Sequence, residues 1–597
     1  MREYSVPVLV DVPASASLPD TVFRRGEQEP GAVALRRKVG GGWAAVTASE
    51  FRDQVVALAK GLIAAGVEHG DRVALMSRTR YEWTLIDYAI WSVGAVSVPI
   101  YETSSVEQVR WILSDSGAKA AFVELDTHEE TVRAAAPELR SLWRVEAALS
   151  LDGPLDGSGL DDSVVLERRT GVTSADLATV VYTSGTTGRP KGCRITHDNL
   201  LFTARNAVSG PMESIFATDE PAALLFLPLA HILARLIQVA LVEAGAILAH
   251  TPNMKNVAPD LQDFRPTFLL GVPRVFEKVY NGAEQKAIAG GKGKIFARSV
   301  DVAVAWSRAE SSGGAPLGLR LQRALFDRLV YGKLRAATGG RLSAAICGGS
   351  ALGERLGHFF RGVGIEVFEG YGLTETSAPS TVNMPGANKI GTVGKPLPGV
   401  TVRISDDGEI LVKGRHIFDG YWNNDQATSD VIDGEGWFHT GDVGELDSDG
   451  YLRITGRKKE ILVTAAGKNV APGPMEDSLR AHPLISQAMV VGDNRPFVAA
   501  LITLDHEALE HWKPANGLAS ATLAELRTDP RILAEVQGAV DRANAMVSRP
   551  EQIKKFTILD ADITEESGHL TPTLKIKRDL VMRDFAKDVD AFYDPTA

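Results

Sequence analysis

The stretch YTSGTTGRPKG (182–192) is rich in small and hydroxyl-bearing residues and carries one lysine, Lys191, between a proline and a glycine. A P-loop of the nucleotide-hydrolysing type instead places a Gly-Lys pair directly before the Ser or Thr that reaches magnesium. The stretch fails that test, so it is either a plain surface turn or a phosphate loop of another kind. Because residues 183–187 offer more N–H and O–H donors than a turn uses, we predict a phosphate loop.

The segments on both sides of this loop alternate between helical and strand-like patterns. TASE (47–50) is a candidate capping box that opens a helix, and RVALM (72–76) is typical of a buried strand. Farther along, RLSAAICGG (341–349) and IEVFEGYG (365–372) are each predicted as a strand that runs into a turn. Such alternation predicts an α/β fold with parallel sheets and with ligands at the carboxyl ends of the strands.

The pattern of predicted helices and strands changes after about residue 456. Three segments there are strand-like: KEILV (459–463), SQAMVVG (486–492) and FVAALITL (497–504). A helix is predicted from about 472 to 482. This α+β pattern predicts a boundary near Arg457, with a large domain over 1–457 and a small one over 458–597.

The composition is that of an ordinary globular protein, with 44% hydrophobic and 23% charged residues among 597. A net charge of −11 gives no support to nucleic acid as a partner, because phosphate backbones are bound through an excess of Lys and Arg. Cys193 and Cys347 show no paired metal-ligand spacing, which predicts a reducing compartment and no zinc site.

Apolar runs in the sequence are too short or too interrupted for export or membrane insertion. The N-terminal run is broken by Pro7 and Asp11, which makes a poor secretory signal. The most apolar region, 222–249, contains Pro228 and Arg235, whereas a membrane span needs about 20 largely uninterrupted apolar residues. We therefore expect a cytoplasmic protein in which 222–249 forms a buried strand and helix.

One segment departs from the negative charge of the chain. From Glu277 to Arg335 the sequence holds eleven Lys or Arg against five Asp or Glu, a local +6 inside a −11 protein. Apolar residues recur at helical spacing in LGLRLQRALFDRLVYGKL (317–334). The segment is either a solvated helical face or a surface attracted to an anionic membrane or ligand.

Four further stretches carry candidate site residues: ICGGSALG (346–353), EGYGLTET (369–376), GWFHTGDVGELDSDGYLRITGRKKE (436–460) and LTPTLKIKR (570–578). Tyr371, between two glycines, can present an aromatic face to a base or pack in the core. Thr374 and Glu375 offer hard oxygen ligands for magnesium. Asp442 can accept hydrogen bonds from ribose hydroxyls. Sequence spacing does not single out Lys575, which by default would be a charge on the surface.

Taken together and in order, these motifs resemble those of the AMP-forming adenylate-forming enzymes, the group of acyl-CoA synthetases, luciferases and peptide-synthetase adenylation domains. The resemblance spans most of the chain, and YTSGTTGRPKG is among its more specific motifs. It implies an α/β fold with a large multi-layered N-terminal domain of α/β subdomains and a small mobile α+β C-terminal domain. That division agrees with the boundary predicted from the change in secondary-structure pattern.

The resemblance also implies roles for individual residues. The loop around the β- and γ-phosphates of ATP would consist of Thr183, Ser184, Gly185, Thr186, Thr187, Gly188 and Lys191. Adenine would be held by Gly349, Ser350, Ala351, Gly370 and Tyr371. Asp442 and Arg457 would bind ribose, while Thr374 and Glu375 would serve phosphate and magnesium, with Glu375 as the metal ligand.

Three residues near the C-terminus take further roles by the same resemblance. Lys575 matches the catalytic lysine of the first half-reaction, and Lys459 falls where the family has its hinge. Gly467, in TAAGKN, would be the close-approach point for the pantetheine arm of coenzyme A.

The stretches LPLAHILAR (227–235) and GVPRVFEKVYNG (271–282) are similar to those of bacterial long-chain fatty acyl-CoA synthetases. The resemblance therefore implies that a long-chain fatty acid is activated with ATP and Mg²⁺ and then passed to coenzyme A. His231 would line the acyl side of the site or be a packed core histidine.

Two other functions stay open at this point. An acyl-AMP ligase would pass the acyl group to a carrier protein, and a non-catalytic homologue would only bind at a membrane. Intact Lys575, Glu375 and Asp442 argue against the second. We expect peripheral membrane contact, if any, through 277–335, and the sequence does not distinguish a monomer from a homodimer.

Overall fold

The computed structural model describes residues 1–150, 153–183, 189–571 and 574–594, and its first part is an α/β unit. Its strands are β1 (Glu3–Ser5), β2 (Val33–Val39), β3 (Gly42–Thr47), β4 (Arg72–Met76), β5 (Val96–Ile100), β6 (Ala120–Val123), β7 (Ser141–Arg144), β8 (Leu177–Thr183) and β9 (Lys191–Thr196). Its helices are α1 (Asp20–Gln28), α2 (Ala48–Ala64), α3 (Tyr81–Ser92), α4 (Val106–Ser116), α5 (Asp126–Ala135), α6 (Val145–Ala148), α7 (Asp162–Thr170) and α8 (His197–Val208).

The middle of the chain continues the same architecture. Its strands are β10 (Ala222–Leu225), β11 (Ile247–His250), β12 (Phe268–Gly271), β13 (Ala344–Cys347), β14 (Glu366–Leu373), β15 (Ala378–Val382), β16 (Lys395–Pro396), β17 (Thr401–Ile404), β18 (Glu409–Lys413), β19 (Phe438–Leu446) and β20 (Leu452–Arg457). Its helices are α9 (Glu213–Phe216), α10 (Ile232–Glu243), α11 (Val257–Phe264), α12 (Pro273–Ala289), α13 (Gly293–Ser311), α14 (Leu317–Phe326), α15 (Gly332–Ala337), α16 (Glu354–Val363) and α17 (Asp425–Ser429).

The last part is smaller and contains shorter strands. These are β21 (Leu462–Val463), β22 (Asn469–Val470), β23 (Ile485–Val491), β24 (Val498–Leu504) and β25 (Ile553–Ile558). The helices are α18 (Pro472–Arg480), α19 (His506–Ala515), α20 (Leu523–Leu526), α21 (Pro530–Asn544), α22 (Arg578–Asp584) and α23 (Ala586–Ala591).

Three sheets organise the chain up to β20. A six-stranded sheet has the order β7-β6-β4-β5-β8-β9, in which only the β8–β9 pair is antiparallel. A nine-stranded sheet has the order β16-β15-β14-β13-β12-β10-β11-β2-β3, and its strands from β14 to β2 run parallel. Strands β1, β17, β18, β19 and β20 form an antiparallel sheet. The predicted α/β fold with parallel sheets is confirmed.

Several local predictions are also confirmed. Thr47 caps α2, because its hydroxyl accepts a hydrogen bond from the backbone N–H of Glu50 while the Glu50 side chain accepts one from Thr47. The apolar region 222–249 forms β10, α10 and β11, and its Arg235 forms an ion pair with the equally buried Asp87. No helix in the described part of the chain is both long and apolar enough to cross a bilayer.

Two predicted elements differ from the structure. Residues 365–372 do not end in a turn, because β14 continues to Leu373 and pairs with β15. Gly372 permits this, since a Cβ atom there would lie 1.8 Å from the Ala378 carbonyl oxygen. KEILV (459–463) is not one strand, because a 3₁₀ turn over Lys458–Glu460 comes before β21.

The hydrophobic cores of the described chain separate near β20. The clusters built on the three large sheets end at Ile454, whereas two further clusters use only residues from Leu462 onward. Arg274 of α12 and Asp505 form an ion pair between the two parts, and Thr103 donates a hydrogen bond to Glu565. The smaller part therefore folds around its own core and touches the larger one through polar contacts.

Candidate functional site

Strands from two different sheets, β14 of one and the β19–β20 pair of the other, bring Tyr371, Asp442 and Arg457 together. Asp442 of β19 and Arg457 of β20 are paired across the ladder, and the Arg457 Nε donates to the Asp442 Oδ1 at 2.7 Å. The Tyr371 hydroxyl of β14 donates to the Asp442 Oδ2, also at 2.7 Å. Both oxygens of this buried carboxylate are thus engaged, which fixes its plane before any ligand arrives. We refer to these three residues as the Asp442 triad.

The electrostatics of the Asp442 triad reinforce its geometry. Burial opposes charge on the Arg457 guanidinium, but Asp442 outweighs it and raises the pKa of Arg457. Burial and then the Asp442 carboxylate raise the pKa of Tyr371 well above its usual value. Tyr371 therefore stays a neutral hydrogen-bond donor and Arg457 stays a cation. The sequence prediction placed Tyr371 against adenine, and the structure adds that its hydroxyl orients Asp442.

Glu375 lies in the 3₁₀ turn Thr374–Thr376 that follows β14 directly. The Tyr421 hydroxyl donates to the Glu375 Oε1 at 2.7 Å, and the backbone N–H of Phe418 donates to the Glu375 carbonyl at 2.8 Å. Within the described chain, Glu375 forms no ion pair, so its charge remains available. Thr374, beside it, is half-buried.

Tyr421 is a site residue that the sequence reasoning missed. The Lys191 ammonium lies over its ring, 4.9 Å from the centroid, so one tyrosine contacts both Glu375 and the lysine of the opening motif. Burial and then the Glu375 charge raise the pKa of Tyr421, which keeps its hydroxyl a donor. Its position directly after Gly420 resembles that of Tyr371 after Gly370, and this pattern could have identified it.

The predicted phosphate loop connects β8 to β9. Thr183 at the end of β8 is paired with Lys191 at the start of β9, and the Thr183 hydroxyl donates to the Lys191 carbonyl at 3.4 Å. Ser184, Gly185, Thr186, Thr187 and Gly188 lie outside the described residues. The loop returns past Trp111, whose indole N–H donates to the Pro190 carbonyl at 2.8 Å. Lys191, at one end of the loop, is the residue that contacts Tyr421.

Gly349, Ser350 and Ala351 follow β13 at its carboxyl end, and all three are exposed. Gly349 has φ +90°, a conformation that favours glycine, so the chain turns sharply there. Gly370 is half-buried in β14, the neighbouring strand. The predicted adenine residues therefore lie just beyond the parallel pairing of β13 with β14, at the edge where ligands of parallel sheets bind.

Lys575 lies in a tight loop of the C-terminal part. Its backbone N–H donates to the Thr571 hydroxyl at 3.1 Å, and its carbonyl accepts from the Thr571 N–H at 2.8 Å. Leu574, just before it, has φ +61°, a left-handed conformation that is unusual for leucine. The loop therefore holds Lys575 by a strained turn, with Leu574 pointing outward.

The Lys575 ammonium lies within electrostatic range of the Asp442 triad and Glu375. Its side chain remains accessible to solvent, but protein surrounds it, and this crowding and then the Arg457 charge lower the pKa of Lys575. The carboxylates of Asp442, Glu375 and Glu460 act on it in the opposite direction. The charges of a lysine predicted from one motif and of carboxylates predicted from two others therefore act on one another in the folded chain.

His231 also lies near Lys575. It forms the N-cap of α10, where its Nδ1 accepts from the Leu233 N–H at 3.2 Å. Burial and then the Lys575 charge lower the pKa of His231 to about 4, so the ring is neutral at neutral pH. A Cβ atom at Gly348 would come within 2.9 Å of Leu233, so α10 begins directly against the turn after β13.

The two remaining predicted residues lie apart from this cluster. Lys459 is exposed in the 3₁₀ turn after β20, next to Lys458, whose ammonium contacts Asp407 at 2.6 Å and Glu409 at 2.7 Å. Gly467 is in the β21–β22 connection, and a Cβ atom there would meet no other atom within 4 Å. Neither residue is joined to the Asp442 triad by a contact that the described residues show.

Family models and known relatives match the chain throughout. The model described as AMP-binding enzyme matches residues 22–422, and the model described as AMP-binding enzyme C-terminal domain matches residues 459–597. The chain is 50% identical over 601 residues to the long-chain-fatty-acid–CoA ligase FadD15 of Mycobacterium bovis, covering 100% of both chains. It is 32% identical to the long-chain-fatty-acid–CoA ligase ACSBG2 of Gallus gallus, over 94% of this chain and 79% of that one.

Solved structures share the same fold at lower identity. One is the O-succinylbenzoate coenzyme A synthetase MenE of Bacillus subtilis in complex with ATP and magnesium ion. It superposes with a TM-score of 0.67 at 20% sequence identity, over 94% of this chain and 98% of that chain. At that identity the likeness shows a common fold.

Proposed function

The chain belongs to the AMP-binding enzyme family, and we propose that it is an ATP-dependent ligase that joins long-chain fatty acids to coenzyme A. Relatives that carry this activity in their names match it over its whole length. The observation that carries the proposal is the convergence of Lys575 on the Asp442 triad and Glu375. This convergence supports Lys575 as the cation that offsets the charge when an anionic carboxylate approaches an anionic phosphate.

In the first half-reaction, a carboxylate oxygen of the fatty acid attacks the α-phosphorus of ATP. The bond from that phosphorus to the bridging oxygen breaks, and pyrophosphate leaves. The chain's residues serve this step by position and charge. Asp442 accepts from the ribose hydroxyls, the 183–188 loop with Lys191 holds the leaving phosphates, and Lys575 neutralises charge at the α-phosphate.

The residues at Glu375 fit a magnesium ion. Mg²⁺ is commonly held by one or two carboxylates together with substrate phosphates. In the described part of the chain, no group of three or more His, Cys, Asp or Glu side chains could hold a metal, so a dedicated cage is absent there. Glu375 supplies one hard oxygen ligand, Tyr421 orients it, and Thr374 adds a hydroxyl. The ion, when bound, neutralises charge on the phosphates.

In the second half-reaction, the coenzyme A sulfur loses its proton and attacks the acyl carbonyl carbon, and AMP leaves. One site serves both steps if the domain over 458–597 turns relative to the domain over 1–457 about Lys459. The turn withdraws Lys575 and brings Gly467 toward the thiol. Lys458, the first residue of the smaller domain, is held beside that hinge by Asp407 and Glu409 of the larger one.

The acyl group lies beside His231 in this proposal. A neutral imidazole at the N-cap of α10 presents little charge to an apolar chain. Each buried methylene contributes on the order of 1 kcal/mol, so a long tunnel would select strongly for long chains. We further propose a cytoplasmic enzyme without nucleic-acid partners, which works as a monomer or homodimer and meets the membrane through 277–335.

The proposal is tested with a panel of carboxylic acids from acetate to C20. Pyrophosphate release and loss of free coenzyme A thiol are scored separately for each acid. We expect both signals to require ATP and Mg²⁺ and to peak with long chains. Activity peaking at acetate or an amino acid would overturn the long-chain assignment. Pyrophosphate release without thiol loss would instead indicate transfer to a carrier protein.

A further inference from the structure

Helix α14 exposes a row of leucines that the core does not use. Leu317, Leu321, Leu325 and Leu329 follow each other at four-residue spacing and are 74%, 65%, 57% and 49% exposed. They extend from α14 into the π-helical turn Asp327–Tyr331. Because residues four apart lie one above the other on a helix, these side chains form one outward stripe, here called the leucine stripe.

The opposite side of the same helix anchors it to the protein. Phe326 and Val330 pack against the hydrophobic cluster of the nine-stranded sheet. The Arg323 guanidinium lies 4.1 Å from the Trp306 ring centroid, and its Nε donates to the Gly362 carbonyl at 2.9 Å. The helix is therefore attached through its other side, and the leucine stripe faces outward with half or more of the surface of most of its side chains exposed.

Cations without ion-pair partners accompany the leucine stripe. Arg328 and Lys333 are exposed on the same helical segment, and neither forms an ion pair with any residue that the structure describes. Lys294 and Ile295 are exposed at the start of α13, which runs alongside α14, as the hydrogen bond from Arg298 to Gln322 shows.

Acidic side chains on this segment are already paired. Asp327 is bound by Arg335, and Glu310 lies 3.9 Å from Arg320. The face that remains is apolar and positive, in a protein whose net charge is −11.

From this face we propose that the leucine stripe docks on an anionic lipid bilayer. A straight row of leucines flanked by Arg and Lys is the pattern of helices that lie in the plane of a membrane interface. Anionic headgroups supply the negative partners for Arg328, Lys333 and Lys294. A second copy of this chain is disfavoured as the occupant, because a two-fold interface would set one positive face against another.

The physiological reason for docking rests on the proposed function, since long-chain fatty acids partition into lipid. Docking itself does not, because it needs neither nucleotide nor catalysis. The test is co-sedimentation of the full-length protein, without ATP, with phosphatidylcholine vesicles that contain phosphatidylglycerol. We expect binding that falls with added salt and that is weak on pure phosphatidylcholine.

The decisive variant is L321E/L325E, which introduces negative charge into the leucine stripe and replaces no buried residue. We expect its binding to anionic vesicles to fall at least about tenfold, with circular dichroism and ATP–pyrophosphate exchange in solution unchanged. L166E is the matched control, because Leu166 in α7 is also 49% exposed but lies outside the segment, and it should bind like wild type. R328E/K333E should lose binding to anionic vesicles as well.

Three results would overturn the assignment. The first is wild-type protein that stays in the supernatant with anionic vesicles, and the second is an L321E/L325E variant that binds as well as wild type. The third is a wild-type dimer, seen by sedimentation without lipid, that L321E/L325E dissociates, because the stripe would then pair two copies of the chain. Loss of ligase activity with docking intact would fault only the proposed function.

Discussion

The Asp442 triad and the Lys575 loop supply the two ends of one site in different ways. Tyr371 comes from one large sheet and Asp442 and Arg457 from another, and two hydrogen bonds of 2.7 Å hold the three side chains together. Lys575 comes from the C-terminal part, and its backbone is bonded to Thr571 of its own loop. In the proposed mechanism, nucleotide recognition therefore belongs to the large sheets, whereas the catalytic charge comes from a separate element that is withdrawn after the first step.

The largest effect that separates the two ends is expected for K575A. Removing the ammonium should slow adenylation by roughly 10²–10³-fold, because a preorganised charge at the reacting phosphate is lost. Conversion of supplied acyl-adenylate to acyl-CoA should stay near the wild-type rate, since the proposed mechanism withdraws Lys575 before that step. The two rates are measured by ATP–pyrophosphate exchange and by thiol consumption.

K575R is the control, because arginine keeps the positive charge but not the shape of the lysine side chain. It should recover part of the adenylation rate. If K575A slowed both half-reactions equally, the distinction between the two ends would fail, because Lys575 would then belong to the fixed part of the site.

A smaller effect, spread over both half-reactions, is expected for D442N. The change removes the charge that pairs with Arg457 and weakens the acceptor for ribose, and hydrogen bonds to charged groups contribute about 1.5–3 kcal/mol. The KM for ATP in adenylation and the affinity for acyl-adenylate in thiolation should both worsen by about 10–100-fold. Steady-state kinetics of each half-reaction gives these values.

Tyr371→Phe is the matched change for D442N, because it removes only the hydroxyl that orients the carboxylate. It should cost about 2–10-fold in the same constants. A D442N defect confined to adenylation would mean that the Asp442 triad is not shared by the two steps.

The smallest effect is expected for Y421F. This variant keeps the ring under Lys191 but loses the hydrogen bond that orients Glu375, a loss of about 1 kcal/mol or fivefold. The Mg²⁺ concentration needed for half-maximal adenylation should rise by that factor, while thiolation is unchanged. Magnesium titrations of both half-reactions would show it, and an unchanged titration would remove Tyr421 from the metal side of the site.

Local sequence patterns correctly predicted the structural elements that depend only on residues near one another in the chain. The capping box at Thr47 and Glu50 could be predicted because its two hydrogen bonds span three residues. The continuation of β14 to Leu373 could not, because it depends on β15 and on the absence of a side chain at Gly372. The 3₁₀ turn over Lys458–Glu460 likewise follows ion pairs to residues some fifty positions earlier.

The candidate site shows the same division. Asp442, Glu375 and Lys575 were named from motifs, and the assignment of Lys575 required the family resemblance because its spacing is uninformative. Tyr421 was missed: the Gly-Tyr pair it shares with Tyr371 could have drawn attention to it, but its contact with Glu375, 46 positions away, appears only in the fold. The roles given to Gly467 and Lys459 stay predictions, and Ser184 to Gly188 lie outside the described residues.

The sequence by itself determined the fold class, the order of the motifs and the chemical types available at the site. Those follow from periodicity, turn residues and residue chemistry, which are local properties of a chain. Only the tertiary structure decided that the carboxylate of Asp442 is clamped from both sides, that Tyr421 links Glu375 to Lys191, and that the leucine stripe faces outward. Each of these depends on which elements pack together, and packing is set by contacts between residues far apart in the chain.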